Sequence, residues 1–365
     1  MAAAPSEQDL LHAAREGDEG AFQPLVEPYR SELHAHCYRM LGSVHDAEDA
    51  LQEALLRSWR GLRRFEGRSS LRSWLYTIAT NTCLSQIAKR PKRVLPVDYG
   101  PSWDPHDGVG EPVVESVWIE PYPDELIGLA DGPAAPEARY ELRESVELAF
   151  VAALQHLPAN QRAVLILREV LGFSAQEVAD ALETTVASVN SALQRARRTV
   201  DDKLPAQSQQ ATLRALGDEK LREIVERYMD AMGRGDVDAV VAMLSEDAAW
   251  SMPPLASWFR GLDEVRDFLE RHPMSGAFRW RHLATTASGQ PAIGVYNWDE
   301  AEQAYLPFAL DVMTLEGDRI KEVTAFITRR VSGVDPEYYA RFPDRELDAA
   351  KVADVFERFG LPARA

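Results

Sequence analysis

Between Leu157 and Val200 the chain reads LPANQRAVLILREVLGFSAQEVADALETTVASVNSALQRARRTV, a pattern that leaves few folds open. Ser174 stands where a helix can begin and Glu177 lies three residues on, the pairing of a capping box in which each side chain accepts the other's free backbone N–H. Val178, Ala179, Leu182, Val186, Val189 and Leu193 then recur at spacings that pack two short helices at a steep angle. That is the rhythm of a helix-turn-helix, whose second helix is the recognition helix. Many repressors and activators share it, so the rest of the chain decides what it means.

Residues 6–90 show helical periodicity almost throughout and read as a bundle of about four helices. In SVHDAEDALQEALLRSW, Ser43 can cap, Asp46 follows three residues later, and Leu51, Leu55 and Trp59 repeat every four residues. A second amphipathic helix begins near Ser69, carries Leu71, Trp74, Leu75 and Ile78 on one side, and stops at Pro91. Residues 91–140 hold many prolines and acids without helical period. Despite one apolar run, VWIEPYPDELIGL, they read as an extended, disordered tether. Helix resumes over 141–204, and a polar, Gln-rich joint follows.

The pattern then changes. From 217 to 330 the order is two helices ending near Leu244, a short strand at AAWSM and a helix over Asp263 to Arg271. Four runs of strand character come next: Phe278 to Ala287, Ala292 to Trp298, Tyr305 to Leu315 and Ile320 to Thr328. SGQ and EGDR suit the turns of antiparallel hairpins, so helices on a curved antiparallel sheet are predicted, an α+β cone. A tail over 331–365 carries a final helix from Asp348 to Phe359. The fold class is therefore multidomain: an all-α N-terminal half, helical bundle plus helix-turn-helix, followed by an α+β cone-like C-terminal domain.

A chain of 365 residues accommodates such a division. Its apolar and charged fractions are globular and no apolar run is long enough to span a bilayer. The N-terminus lacks the basic start and apolar core of a secretion signal, which predicts a cytoplasmic protein. Cys37 and Cys83 are isolated and fall in helical segments, so buried thiols are predicted and no disulfide framework or metal site. The net charge of −18 speaks at first against nucleic acid. Its distribution reverses that argument: Arg57 to Arg93 holds ten Lys or Arg against Glu66 alone, whereas Val94 to Tyr140 holds ten acids against Arg139 alone.

The first 204 residues resemble the extracytoplasmic-function class of RNA polymerase sigma factors, which keep two helical domains joined by a linker. The likeness rests on DAEDALQEALLRSWRGLRRFEG, FEGRSSLRSWLYTIATNTCL and the helix-turn-helix, in that order. It implies that residues 6–90 bind core polymerase and the promoter −10 element. Asp46, Asp49, Gln52 and Glu53 take the positions that dock on the β′ clamp helices, although a merely solvated helix face would carry the same charges. Arg63, Arg64, Phe65, Gly67, Arg68 and Ser69 take the loop that holds a melted strand, where basic groups beside aromatics are needed. Arg72 and Asn81 line the helix that follows. Trp74 lies on the apolar stripe, where a core role competes with base stacking.

The same resemblance makes residues 141–204 the −35 reader, with the β flap as its polymerase partner. Thr184, Thr185, Ser188, Asn190, Ser191, Arg195, Arg197 and Arg198 are then the candidates for DNA contact. The sequence departs from the commonest pattern: Glu183 stands where the turn usually has Gly, and Asn190 and Ala192 where basic residues are usual. A Glu at that turn must tolerate strain.

Residues 218–330 resemble the SnoaL-like, ketosteroid-isomerase-like cone fold, with MPPLASWFRG as the signature-like piece. The likeness implies a pocket that Trp250, Met252, Pro254, Trp258, Phe259, Trp280, Tyr296 and Phe308 could line. The polar candidates Asp311, His272, His282 and Arg260 form no recognisable dyad by spacing. Asp311 sits on a strand whose alternation could turn it inward, where burial would raise its pKa; an exposed strand carboxylate is the plain alternative. Cone domains also serve as docking modules with filled pockets. The expectation is a non-catalytic sigma factor without cofactor or metal, whose partners are core RNA polymerase, promoter DNA and a small-molecule ligand of the C-terminal domain. That domain adjusts its activity. A SnoaL-type enzyme tethered to DNA and a one-component helix-turn-helix regulator are the alternatives.

Overall fold

A computed structural model describes residues 5–110, 113, 117–127, 142–328 and 354–365. The chain divides into a helical unit, Met1–Lys92 with Leu126–Ser145 and Phe150–Leu204, and a second unit, Arg93–Glu125 with Val146–Ala149 and Pro205–Ala365. No described helix is long and apolar enough to cross a membrane.

The helical unit opens with α1 (Glu7–Arg15), α2 (Glu19–Val26), α3 (Arg30–Leu41), α4 (Val44–Gly61) and α5 (Leu71–Ile87), one more helix than the periodicity suggested. Serine caps start three of them: Ser6 forms a capping box with Asp9, Ser43 accepts from Asp46 N–H, and Ser70, next to the expected Ser69, accepts from Ser73 N–H. Every residue of α3 from Leu33 to Leu41 is buried, so α3 is the centre of the bundle. After α6 (Leu148–Gln155), α7 (Ala159–Leu165) runs into a π-turn over Ile166–Val170. Then come α8 (Ala175–Ala181) and α9 (Val186–Asp201), the helix-turn-helix. Ser174 and Glu177 make the reciprocal capping pair, and the turn puts Glu183 at φ 50, the left-handed region.

Two buried arginines fasten α3 to the chain around it, Arg162 from α7 and Arg39 from α3 itself. Arg162 donates to Met40 O, to Gln155 Oε1 at 2.5 Å and to Leu157 O at 3.3 Å; Gln155 in turn donates to Arg39 O at 3.3 Å. Arg39 donates to Ser145 O at 3.1 Å and Ser145 Oγ at 2.6 Å. Desolvation lowers the Arg162 guanidinium to about 10, which leaves it charged at neutral pH.

In the second unit α10 (Gln209–Leu216), α11 (Asp218–Arg234), α12 (Val237–Val241) and α13 (Leu262–Arg271) accompany six strands. These are β1 (Leu244–Ser251), β2 (Trp258–Arg260), β3 (Trp280–Ala287), β4 (Gln290–Asp299), β5 (Ala304–Glu316) and β6 (Arg319–Ile327), in the order β2-β1-β6-β5-β4-β3. The β1–β6 pairing is parallel, so the sheet is mixed where an antiparallel one was expected. Hairpin signals reveal only local pairings, and β1 reaches β6 through the whole intervening chain. β2 is three residues long, too short for alternation to show. Ser288 and Gly289, at φ 56 and 68, make the tight β3–β4 turn that SGQ announced. Tyr228 and Met232 of α11, Phe268 and Leu269 of α13, and Trp250, Ile293 and Met313 of the sheet share one core.

The described part of the expected tether is not extended. Trp103 N–H donates to Trp258 O at 2.8 Å, Trp258 Nε1 to Gly100 O at 2.9 Å, and Tyr122 and Ser288 exchange hydrogen bonds. Val109, Val117, Trp118, Ile119 and Tyr122 are buried. The acids dominate the count, but these apolar residues decide the packing. Residues 128–141 lie outside the described residues, as do 329–353 and with them the start of the expected tail helix. From Asp354 the chain is helical for one turn, then seals the side of the sheet away from the core: Phe356 packs on Tyr296 at 5.2 Å and Leu361 over Gly294.

Candidate functional site

The basic segment of the helical unit separates into exposed and engaged groups. Arg63, Arg64, Gly67, Arg68 and Ser69 are exposed, Arg63 and Arg64 on one 3-10 turn and Arg68 paired with Glu66 at 2.7 Å. Phe65, expected to face a melted strand, is buried against Trp74 at 5.0 Å, so it anchors the loop. Asn81 is exposed on α5. Arg72 is engaged: it pairs with Glu32 at 3.0 Å and stacks over the rings of Tyr76 and Phe173. Phe173 precedes the helix-turn-helix, and its ring meets Tyr76 edge-on at 5.3 Å.

Thr184, Thr185, Ser188, Asn190, Ser191, Arg195, Arg197 and Arg198 are all exposed at the turn and along α9, while Val189, Leu193, Ala196 and Val200 face inward. Thr185 caps α9 through Ser188 N–H, and Arg197 pairs with Glu169. On α4, Asp49 and Gln52 are exposed and Glu53 pairs with Arg57 at 2.6 Å. Asp46, the fourth docking candidate, is buried and paired with Arg90, three residues past the end of α5. Its position one turn into α4 puts it against the bundle.

The second unit encloses a cavity of about 390 Å³. Trp250 of β1, Met252 just after it, Phe268 of α13, and Trp280, Val295, Phe308 and Asp311 of the sheet line it. A bulge pairs Tyr296 with Pro307 and Val295 with Ala309; Phe308 is the extra residue, so both it and Ala309 reach the cavity. Four expected lining residues lie elsewhere. Tyr296 alternates with Val295 and so faces the other side, where its hydroxyl donates to Pro362 O at 2.8 Å. Phe259 stacks behind Phe268 at 4.6 Å, and Trp258 faces the segment at Gly100. Pro254, His282 and Arg260 are likewise absent from the lining, Arg260 stacking over Trp258.

Asp311 is buried in the cavity wall and accepts from the Tyr228 hydroxyl at 3.2 Å. Burial pushes its carboxyl up to about 7, with the Tyr228 hydrogen bond opposing. His272 also lines the cavity, with Nε2 buried and without a hydrogen-bond partner among the described residues. Desolvation first, then the charge of Arg271, holds its pKa below the ordinary value. Among the described residues no cluster of His, Cys, Asp and Glu could hold a metal ion, and Cys37 and Cys83 are buried and free.

Sequence reasoning missed Tyr228, Val109 and the arginine pair. Tyr228 is hidden in a charged helix. Val109 sits among acids and prolines. Arg39 gives a faint signal, an arginine between Tyr38 and Met40 in a run buried on all sides.

Comparison with known proteins adds three family matches: Sigma-70 region 2 over residues 25–93, Sigma-70 region 4 over 147–200 and a SnoaL-like domain over 225–323. The ECF RNA polymerase sigma factor SigG of Mycobacterium tuberculosis is 43% identical over 310 residues, covering 84% of this chain and 81% of that protein. The sigma-E factor of Escherichia coli K12 is 29% identical over 199 residues, 54% of this chain and 94% of its own. The crystal structure of the M. tuberculosis extracytoplasmic function sigma factor SigJ covers 87% of this chain and 97% of its own at a TM-score of 0.51 and 22% identity, a likeness of fold.

Proposed function

This chain belongs to the extracytoplasmic-function sigma factors and directs RNA polymerase to promoters for transcription initiation, and on that premise we propose which surfaces do so and how they are governed. Asp49, Gln52 and Glu53 of α4 dock on the β′ clamp helices. The loop from Arg63 to Ser69, with Arg72 and Asn81, holds the melted −10 strand. The exposed face of α9 enters the −35 major groove, its arginines and threonines on phosphates and Asn190 on a base edge, and the β flap supports it.

The C-terminal unit modulates this activity. The observation that carries the reading is the chain between the two Sigma-70 regions, which packs on the SnoaL-like unit through backbone hydrogen bonds of Trp103, Val113 and Tyr122. A second reading, catalysis in the cavity, is favoured by Asp311, whose carboxyl near 7 suits proton transfer. Run-off transcription with core polymerase tests both: the full chain and a chain ending at Leu204 should both yield promoter-specific transcripts, in different amounts. Equal amounts would remove the modulatory role, and no transcript from either, with another sigma factor active in the same assay, would remove the assignment of surfaces.

A further inference from the structure

One residue of the cavity wall does not come from the cone. Val109 belongs to the segment between the two Sigma-70 regions, yet it lies in the same apolar cluster as Trp250, Met252 and Phe268. Its backbone is fixed from the cone side: Ser257 Oγ donates to Val109 O at 2.6 Å, and Val113 N–H donates to Pro254 O at 2.9 Å. The rest of the wall is aromatic and aliphatic, apart from Asp311 with its Tyr228 hydroxyl, the ring of His272, Arg271, and Ser275, whose hydroxyl donates to His272 O at 2.8 Å. Arg271 turns its guanidinium to Asp267 at 3.0 Å and to His106 at 2.8 Å, so its charge is already answered. An anionic ligand would shed its hydration here without meeting a free positive charge, and a cation would find a carboxyl that burial keeps largely protonated below about pH 7. A neutral ligand with a single polar group meets neither cost.

We propose that this cavity is a binding site for an uncharged, mainly apolar small molecule carrying one carbonyl or hydroxyl group, which the Asp311–Tyr228 pair receives, and that Val109 puts the occupant in contact with the inter-region segment. The volume falls in the range of small-ligand sites and suits a compact ring system more than a long chain. Asp311 can donate to a carbonyl when protonated and accept from a hydroxyl when not, and the unpartnered His272 nitrogen offers a second contact. The occupant then finishes the packing of Val109, and the segment is held more firmly when the cavity is filled. The step from occupancy to transcription rests on the proposed modulatory role; the binding step does not.

The test uses the full chain and a neutral dimethylaminonaphthyl ethyl ketone, whose emission moves to the blue in apolar surroundings. Saturable binding at one site per chain is expected, weakened about ten-fold in Asp311→Leu, the worth of one hydrogen bond of about 1.4 kcal/mol. Val109→Trp, a change outside the cone, should weaken it comparably by putting an indole into the cavity. With the ketone bound, chymotrypsin should cut after the exposed Tyr99 roughly three-fold more slowly, because local opening of the segment is suppressed. No saturable binding to the wild-type chain overturns the site. Undiminished binding to folded Asp311→Leu overturns the polar recognition. Undiminished binding to Val109→Trp, or unchanged cleavage with the ketone bound, overturns the link to the segment. None of these readouts involves polymerase, so a failure here is distinguishable from a failure of the transcription assay.

Discussion

Replacing Asp311 by Asn isolates the energetic consequence of placing a carboxyl in an apolar cavity. Burial raises the folded-state pKa of Asp311 from 3.8 to about 7, with only the Tyr228 hydroxyl pulling the other way. Below about pH 4 both folded and unfolded chains hold the proton and the group contributes nothing to the balance. Between about pH 4 and 7 the unfolded chain ionises while the fold keeps its proton, so stability falls as pH rises. Above 7 the loss is complete. The gap between 3.8 and about 7 corresponds to about 4 kcal/mol. Asparagine keeps the shape and an acceptor for the Tyr228 hydroxyl but cannot ionise. The variant should therefore match the wild type near pH 4.5 and exceed it at pH 8 by an amount of order 3 kcal/mol, most of that gap. Urea unfolding of the full chain, followed by the fluorescence of Trp250 and Trp280, reads this as a midpoint at least about 1 M higher at pH 8. The titration of His272 is common to both chains and cancels in the difference. A variant whose midpoint is displaced equally at the two pH values, or lowered at pH 8, refutes the assignment of a proton-bearing, desolvated carboxyl.

Other substitutions test other joints. Gly294→Val places a Cβ 2.6 Å from Leu361 Cδ1, so the terminal residues must lift from the sheet, and trypsin should cut at Arg358 markedly faster than in the wild type. Arg162→Ala leaves the carbonyls of Met40, Gln155 and Leu157 buried without their donor and should destabilise the helical unit by about 2–4 kcal/mol in chemical unfolding. Glu183→Gly relieves the left-handed turn residue and should stabilise the helix-turn-helix by about 1 kcal/mol, measured as slower amide exchange in α8 and α9. Glu147→Ala removes the acceptor of Gln209 and Gln210 N–H, loosens Val146–Ala149 from the start of α10 and should raise run-off transcription above the wild type.

Local signals carried the helical half. A capping pair announces its own helix boundary, as Ser174 with Glu177 does, and a 3.6-residue stripe names its buried face, as Val189 and Leu193 do. The exposed face follows by subtraction, which is why the candidates on α9 are all exposed. The cone was legible strand by strand for the same reason. What escaped depends on partners distant in sequence. The parallel β1–β6 pairing, the turn of Tyr296 toward the terminal residues and the burial of Asp46 against Arg90 are set by segments 44 to 76 residues away. Composition also misled: Tyr122 lies in a stretch whose acids and prolines point to a tether, yet it is buried and exchanges hydrogen bonds with Ser288.

The proposed control has a geometric side. Elements centred near −10 and −35 lie roughly 25 base pairs apart, about 85 Å along B-form DNA. In the helical unit the Tyr76 ring of α5 and Phe173 before the helix-turn-helix are 5.3 Å apart, and Arg162 bridges α7 to Met40. A sigma factor that reads both elements at once has to break these contacts. The connecting chain imposes a second condition. Arg93–Glu125 and Val146–Ala149 both belong to the C-terminal unit, where Glu147 accepts from Gln209 and Gln210 N–H and Leu148 N–H donates to Gln290. With both segments docked, Lys92 and Phe150 can be no farther apart than the breadth of that unit, roughly 40 Å for a compact body of about 200 residues. With the two segments docked, the chain itself limits how far the ends of the two Sigma-70 regions can part, and the breadth of each region supplies the rest of the span between the two elements.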